Sequence, residues 1–355
     1  MSVLDPTPVP AALTDVGLRV EAHLASFLAE EADRWSTIES GLTTPIDSLA
    51  RFVASGGKRL RPAFSHWAWV GAGGDPEDLR IVRTGAALEL LHAFALVHDD
   101  VMDGSATRRG RPTVHVDFTE MHSEGAWQGE TRRFGEGIAI LIGDLACVYA
   151  DAFMNDANPR AITIWNELRV ELLIGQYLDV TGSARGDVDL AGAHRIAEYK
   201  SGKYTIERPL HLGAALAGRF DELEPVLTAY GSPLGVAFQL RDDVLGIFGD
   251  SEITGKPVGD DLREGKPTPL LATARQHATE EQRRRLARVG APDLSDDEVV
   301  ELQQIVIDTG ARASVEGSID DLTARAIHAL DGVTLDGGAE VALRELAAYI
   351  GARQL

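Results

Sequence analysis

The stretch Leu88 to His115, LELLHAFALVHDDVMDGSATRRGRPTVH, limits what this chain can fold into more than any other. An almost wholly apolar helical run ends in three carboxylates, Asp99, Asp100 and Asp103. A polar turn then leads to Arg108, Arg109 and Arg111. A run that apolar has to be buried, and charges set directly after it are costly unless paired or metal-bound. On a helix Asp99 and Asp103 stack one turn apart on one face, and Asp100 points about 100° away. Like charges so placed repel, at a helix end whose dipole is already negative. A hard divalent cation would relieve both. Mg2+ takes one or two protein carboxylates and completes its shell with water and substrate phosphate oxygens. The arginines beyond are suited to the remaining phosphate charge. The pattern is short and the solvated end of a buried helix competes with it, so the rest of the chain has to decide.

Far along the chain, Phe238-Gln239-Leu240-Arg241-Asp242-Asp243 again sets paired carboxylates late in a long apolar helix. The continuation, Val244-Leu245-Gly246, has glycine where a repeat of DDxxD would have a third acid. Gly255-Lys256-Pro257 follows, then Gly259-Asp260-Asp261-Leu262-Arg263-Glu264-Gly265-Lys266. One acidic helix end is ambiguous. Two, each after an apolar helix and each followed by glycines and basic residues, point to a Mg–diphosphate site built across a helical bundle.

Other signals are weaker. GGKRLRP at Gly56–Pro62 offers Lys58, Arg59 and Arg61 as a clamp for a second anionic group, with a solvated basic helix start as the plain alternative. Lys200 and Lys203 flank Ser201–Gly202 in a segment that reads equally as a surface turn. His92 lies about two turns before Asp99 on the same face and can reach a pocket there, whereas His98 can only orient its neighbour. Ala95 is on the Asp99 face one turn deeper and leaves room. Phe94 is swung about 140° around the helix, where core packing is the default.

Composition narrows the class of partner. The chain has 355 residues, 44% hydrophobic and 25% charged, with a formal net charge of −21. That charge argues against nucleic acid and against a basic membrane-docking face, which makes each basic cluster more informative. The lone cysteine, Cys147, excludes an internal disulfide, suits the cytoplasm and reads as a small core residue. Residues 1–10, with three prolines, read as a disordered arm without secretory-signal character, and no window approaches 18 uninterrupted apolar residues. Helical spacing covers Ala11–Trp35, Thr44–Ala54, Ala63–Gly71, Pro76–Met102, Ile138–Met154, Ala161–Val180 and Glu222–Phe248. It also covers Gly192–Ala217, with a break near Ser201–Gly202, and the amphipathic remainder from Pro269. No alternating strand and no linker stand out, which gives one all-α domain over residues 11–355.

With these motifs in order, the chain resembles the trans-isoprenyl diphosphate synthases, or polyprenyl synthetases, from about Gly56 to Leu271. The resemblance rests on GGKRLRP, HDDVMDGSATRRGRP, GQYLD at Gly175–Asp179, YKSGKYT, FQLRDD and TGKPVGDDLREGKPT, and the wording is most like actinobacterial geranylgeranyl diphosphate synthases. It implies a single-domain class I isoprenoid synthase bundle around a deep central cavity, usually a homodimer. It implies head-to-tail condensation of isopentenyl diphosphate with C5, C10 or C15 allylic diphosphates, using about three Mg2+ ions per site. Carried over residue by residue, Asp99, Asp103 and Asp242 would bind Mg2+, and Asp100 and Asp243 would support them. Arg108, Lys200, Gln239, Lys256 and Lys266 would hold the allylic diphosphate; Lys58, Arg61, His92 and Arg109 would hold isopentenyl diphosphate. Gly246 departs from the pattern, so support at that end is expected to be weaker or to come from Asp260 or Asp261.

Residues four and five before the first aspartate help set product length in that family. Phe94 with Ala95, and no insertion inside DDVMD, look like the C20 pattern, with a C15 farnesyl product as the near alternative. A class I terpene cyclase would replace the second DD by an Asn/Ser/Glu motif and would not need GGKRLRP. A non-catalytic synthase subunit would have lost acids at the first site.

Overall fold

The structure, a computed structural model, describes residues 8–249 and 258–352. Lys256 and residues 1–7 of the expected N-terminal arm lie outside the described residues. The described residues are overwhelmingly helical, as expected. The helices are α1 (Ala11–Ser36), α2 (Thr44–Ala54), α3 (Leu60–Gly71), α4 (Leu79–Asp103), α5 (Val114–Glu124), α6 (Thr131–Met154), α7 (Pro159–Arg185), α8 (Leu190–Ile196), α9 (Arg208–Leu216) and α10 (Phe220–Phe248). Then come α11 (Asp260–Glu264), α12 (Pro269–His277), α13 (Glu280–Leu286), α14 (Asp296–Asp308), α15 (Ala311–Ala329) and α16 (Ala339–Ala352). They sort into two compact units, one of residues 11–66 and 74–158, the other of residues 67–73 and 159–352.

In the first unit α4 is the core helix, packed by α1, α2 and α6, with α5 laid on α6. The Asp78 side chain caps its start by accepting from the Arg80 amide, and Gly104 ends it at φ +66°, a left-handed stop that suits glycine. Ile81, Val82, Ala86, Ala87, Leu88, Leu90 and Leu91 are all buried, so the helix is apolar nearly all round. By length and composition alone α4 and α6 could cross a membrane, yet 67% of the apolar window of α4 is buried inside the fold. Close approach depends on small residues. A Cβ on Gly85 would lie 2.7 Å from Val20, and one on Gly143 would lie 2.3 Å from the His98 ring. His98 therefore seats against α6, where its Nε2 lies 3.0 Å from the Ile140 carbonyl oxygen. Its sequence neighbour Asp99 is not what it orients. Cys147 is half-buried rather than a core residue.

One small element went unread in the sequence. Thr107–Arg108 (β1) pairs antiparallel with Arg111–Pro112 (β2), Arg108 opposite Arg111. The two turn residues, Arg109 and Gly110, sit at φ +53° and +70°. Positive φ at both central positions is what a tight two-residue hairpin needs, because it matches the right-handed twist of the strands.

In the second unit α10 is central, packed by α9, α11, α15 and α16. The expected break near Ser201–Gly202 is not a break. Ala197–Glu207 forms a π-helical segment that runs without interruption from α8 into α9. The wider i→i+5 turns are pinned by backbone contact on both sides. A Cβ on Gly175 of α7 would fall 2.3 Å from the Lys200 nitrogen, and one on Gly235 of α10 would fall 2.6 Å from the Gly202 oxygen. Neither neighbour can give, since each is main chain. Gly235→Ala is therefore expected to cost about 1–3 kcal/mol through overpacking, read as a lower urea midpoint with an unchanged m value.

Candidate active site

The acids and cations expected to act together are distributed over the two units, and each unit assembles its own set.

In the first unit Asp99, Asp100 and Asp103 occupy the last turn of α4. Asp100 is 1% exposed and accepts from Arg108, whose Nε lies 2.8 and 3.0 Å from its two oxygens and whose Nη2 lies 2.7 Å away. A buried carboxylate needs such a counterion, and this one turns the β1–β2 hairpin back over the helix end. Thr113 clamps the same loop, its hydroxyl donating to the Ser105 carbonyl at 2.8 Å. Arg108 also comes within 3.8 Å of Asp99. Asp99 and Asp103 themselves are half-buried.

Arg109 follows on the hairpin turn. Its Nη1 donates to Ser55 Oγ at 3.2 Å and to the Gly56 carbonyl. Burial, with Arg59 and Arg108 close by, brings its guanidinium down to about 10, so it stays charged at neutral pH while bonded to neutral acceptors. His92 is held well below the ordinary imidazole range by burial and by Arg61, Arg109, Arg108 and Arg59. It is neutral, able to donate one hydrogen bond without adding charge. Lys58 and Arg61 are half-buried on either side of Arg59.

Arg59 behaves differently from the clamp residue its motif suggests. It is 6% exposed, donates to the buried Glu89, to Glu21 at 2.9 Å and to the Val53 carbonyl at 2.7 Å, and so has its fork occupied by protein. The sequence hid this because the partners lie 38 and 30 residues away. Phe94 is half-buried and meets the His98 ring edge-on at 4.7 Å, with Ala95 half-buried beside it.

In the second unit Asp242 and Asp243 lie in the last two turns of α10. Asp243 is 1% exposed; one oxygen accepts from Gln239 Nε2 at 2.7 Å, and the other has no hydrogen-bond partner. Gln239, assigned by resemblance to the allylic diphosphate, thus holds an acid. Burial pushes Asp243 well above the usual carboxylate range, and Asp261, Asp242 and Asp179 add to the shift. Asp179, quoted from GQYLD but given no role in the sequence, is 5% exposed and lies 2.5 Å from Lys200 Nζ. It sits one helical turn from Gly175, the glycine against which Lys200 packs, and that spacing was the available signal. Lys203 and Arg208 pair instead with Glu171, at 2.9 and 2.7 Å. Lys266 lies 2.6 Å from Glu264 and 3.9 Å from Asp261.

Gly246 has a structural answer. A Cβ there would lie 2.0 Å from Asp261 Oδ2 and 2.4 Å from its Cγ. The Asp261 carboxylate, from α11, occupies the space that a third acid on α10 would need. Arg241, in the same motif, turns to Glu316 at 2.7 Å and to the Gly351 carbonyl at 2.8 Å.

Among the described residues no three acids, imidazoles or thiols converge closely enough to hold an ion by themselves. The donors are all hard oxygens, and Asp243 keeps a buried oxygen without a partner. That suits Mg2+, which leaves much of its shell to water and phosphate.

The sequence matches the profile of the polyprenyl synthetase family over residues 44–306. In fold the chain is similar to a geranylgeranyl pyrophosphate synthase of Corynebacterium glutamicum solved with isoprenyl diphosphate and magnesium. The TM-score is 0.91 at 36% identity, over 96% of this chain and 99% of that one. A geranylfarnesyl diphosphate synthase of Aeropyrum pernix is 32% identical over 301 residues, covering 82% of this chain and 85% of that protein. A (2E,6E)-farnesyl diphosphate synthase of Mycobacterium tuberculosis is 33% identical over 306 residues, covering 84% and 80%.

Asp243 gives a pH signature. It keeps its proton in the folded state to higher pH than in the unfolded chain. The stability linked to it is therefore present below the ordinary carboxylate range and lost as pH rises through the raised native value. Asp243→Asn removes that loss. Without divalent cation, the variant should gain stability relative to the parent as pH rises above the ordinary carboxylate range, read by thermal denaturation. A difference constant with pH would mean that Asp243 ionises normally.

Proposed function

The chain belongs to the polyprenyl synthetase family, and on that footing we propose that it is a Mg2+-dependent trans-prenyltransferase that condenses isopentenyl diphosphate head-to-tail with allylic diphosphates. The observation that carries this reading is that two acid-rich helix ends each have their own basic residues: Arg108 at Asp99 and Asp100, and Lys266 at Asp261, whose charge acts on Asp243. One such end would serve a single phosphate. Two such ends and a separate cluster of Lys58, Arg61, His92 and Arg109 suit two diphosphates, one of them leaving.

In this reading Asp99, Asp103 and Asp242 hold about three Mg2+ ions, with Asp100 and Asp243 in support. Bound there with the allylic diphosphate, the ions would stabilise the charge that develops on the departing diphosphate. Arg108, Lys200, Gln239, Lys256 and Lys266 orient that group. In the protein alone Arg108 and Lys200 rest on Asp100 and Asp179, so substrate shares existing ion pairs rather than meeting bare cations. Asp261, seated over Gly246, supplies the acid that the second motif lacks. The allylic C–O bond ionises, and the apolar cavity expected within the bundle keeps water from the carbocation. The isopentenyl double bond attacks, and the proton lost goes to the departing diphosphate. No protein nucleophile is needed.

For product length the reading is C20, with Phe94 and Ala95 at the stop. The packing of Phe94 on His98 supports a ring held in one place. Val170, Leu173, Ile174 and Tyr177 lie exposed at helical spacing along α7, a stripe that a second copy of the chain would cover in a homodimer. The single cysteine fits work in the cytoplasm.

Purified protein given Mg2+, labelled isopentenyl diphosphate and each of the C5, C10 and C15 allylic diphosphates should yield geranylgeranyl diphosphate. Asp99→Ala and Asp242→Ala should each lower turnover by about a hundredfold or more while circular dichroism stays unchanged. Near-normal rates in either would break the two-sided assignment. Phe94→Ala should lengthen the products; an unchanged distribution removes Phe94 from the stop.

A further inference from the structure

Arg59 is an arginine in the middle of an anion-binding motif, with its fork turned to the protein itself. Its Nε donates to Glu21 at 2.9 Å, its Nη2 to the Val53 carbonyl at 2.7 Å and its Nη1 to Glu89. Its backbone is left-handed at φ +51°, a conformation that a residue with a long side chain keeps only where its surroundings over-determine it. Glu89 lies 4% exposed in the apolar body of α4, where a carboxylate is tolerated because Arg59 meets it. Nothing else in the proposed chemistry uses either group.

The consequences of this anchor fall on its neighbours. Gly57 is squeezed between two cations: a Cβ there would lie 3.1 Å from Arg109 Nη2 and 3.3 Å from Arg59 Nη1. Arg109 in turn hangs on the Gly56 carbonyl and on Ser55 Oγ. The position of the Arg109 guanidinium is thus set by the course of the Gly56–Gly57 backbone, and Arg59 sets that course. Two like-charged groups this close repel, and the two carboxylates on Arg59 offset the repulsion. On the far side α1 is fitted to Arg59. Gly17 leaves room for its stem, with a Cβ there only 3.2 Å from Arg59 Cγ, and Glu21 one turn later takes its Nε.

We propose that Arg59 is a positioning residue for the isopentenyl diphosphate half-site, which locks the Gly56–Arg61 turn through Glu89 and Glu21 so that Lys58, Arg61 and Arg109 are presented together to one anion. The assignment of that half-site is the reading given under Proposed function, and this inference rests on it. Arg59 is not a ligand. Its effect is on the geometry of three residues that are, and through Glu21 that geometry depends on the seating of α1.

The test is steady-state kinetics on both substrates with Arg59→Lys, Glu21→Gln and Lys58→Ala. Lysine keeps the charge but cannot fill three acceptors from one planar fork. Arg59→Lys should raise KM for isopentenyl diphosphate about tenfold, since misplacement on the ångström scale is that costly. KM for the allylic diphosphate and kcat should stay within about twofold. Glu21→Gln loosens a link whose acid is already 43% exposed, so it keeps the fold even where Arg59→Lys does not. It should raise the same KM about threefold. A folded Arg59→Lys or Glu21→Gln with KM for isopentenyl diphosphate unchanged, or with both KM values rising together, overturns the proposal and leaves Arg59 a packing residue. Lys58→Ala separates the layers. If it raises KM for isopentenyl diphosphate while Arg59→Lys and Glu21→Gln do not, only the positioning role falls. If Lys58→Ala leaves that KM unmoved, the half-site itself was misassigned and the positioning role goes with it.

Discussion

A carboxylate taken out of water has to find a positive partner, a proton or a metal, and this fold is arranged around that requirement. Breaking a buried ion pair by removing one partner costs about 3–5 kcal/mol, against about 0–1 kcal/mol for a pair on the surface. The pairs that shape the molecule are accordingly those with a buried acid: Asp100 with Arg108, Asp179 with Lys200 and Glu89 with Arg59. The last two tie together elements well separated in sequence, and the first folds the hairpin onto the helix end just before it. Asp243 is the exception that points to chemistry. It is as buried as Asp100, has an amide where Asp100 has a guanidinium, and keeps one oxygen without a partner. Burial raises its carboxyl well above the usual range, where a bound cation would instead favour the charged form.

The second organising device is contact between main chains. Gly235 against Gly202 and Gly175 against Lys200 bring three helical segments together closely enough to exclude side chains. The π-helical stretch between them shifts the positions of Lys200 and Lys203 relative to an α-helix, and each meets a different acid on α7. Gly246 belongs to the same class for another reason: it makes room for the Asp261 carboxylate, which comes from another helix. A missing acid in a motif and an acid supplied from elsewhere are one feature.

The helices around the core were legible because their apolar residues recur at the period of a helix and fill one face. Leu13, Val16, Val20, Leu24 and Leu28 of α1 are all buried. The acid-rich helix ends were legible because carboxylates after an apolar run are costly enough to need a reason. Periodicity could not see the Arg109–Gly110 turn, which depends on two residues of positive φ, or the π-helical segment, which depends on glycines on two other helices. It could not divide GGKRLRP either. Lys58, Arg59 and Arg61 look alike in sequence, and only the positions of Glu21 and Glu89 set Arg59 apart.

By itself the sequence determined the helical class, the helix that must be buried and the two acidic helix ends, and its motifs in order carried the resemblance to a family. Those features are local, fixed by side-chain chemistry and by the geometry of one helix. Tertiary structure decided which cation each acid holds, that Gln239 supports Asp243, that Asp261 stands over Gly246 and that Arg59 anchors a turn rather than a ligand. Apart from the Gln239–Asp243 contact, one turn along α10, those depend on contacts between different elements of the fold. A charge looks the same in a sequence whether its partner is a substrate or a buried carboxylate, and packing alone tells the two apart.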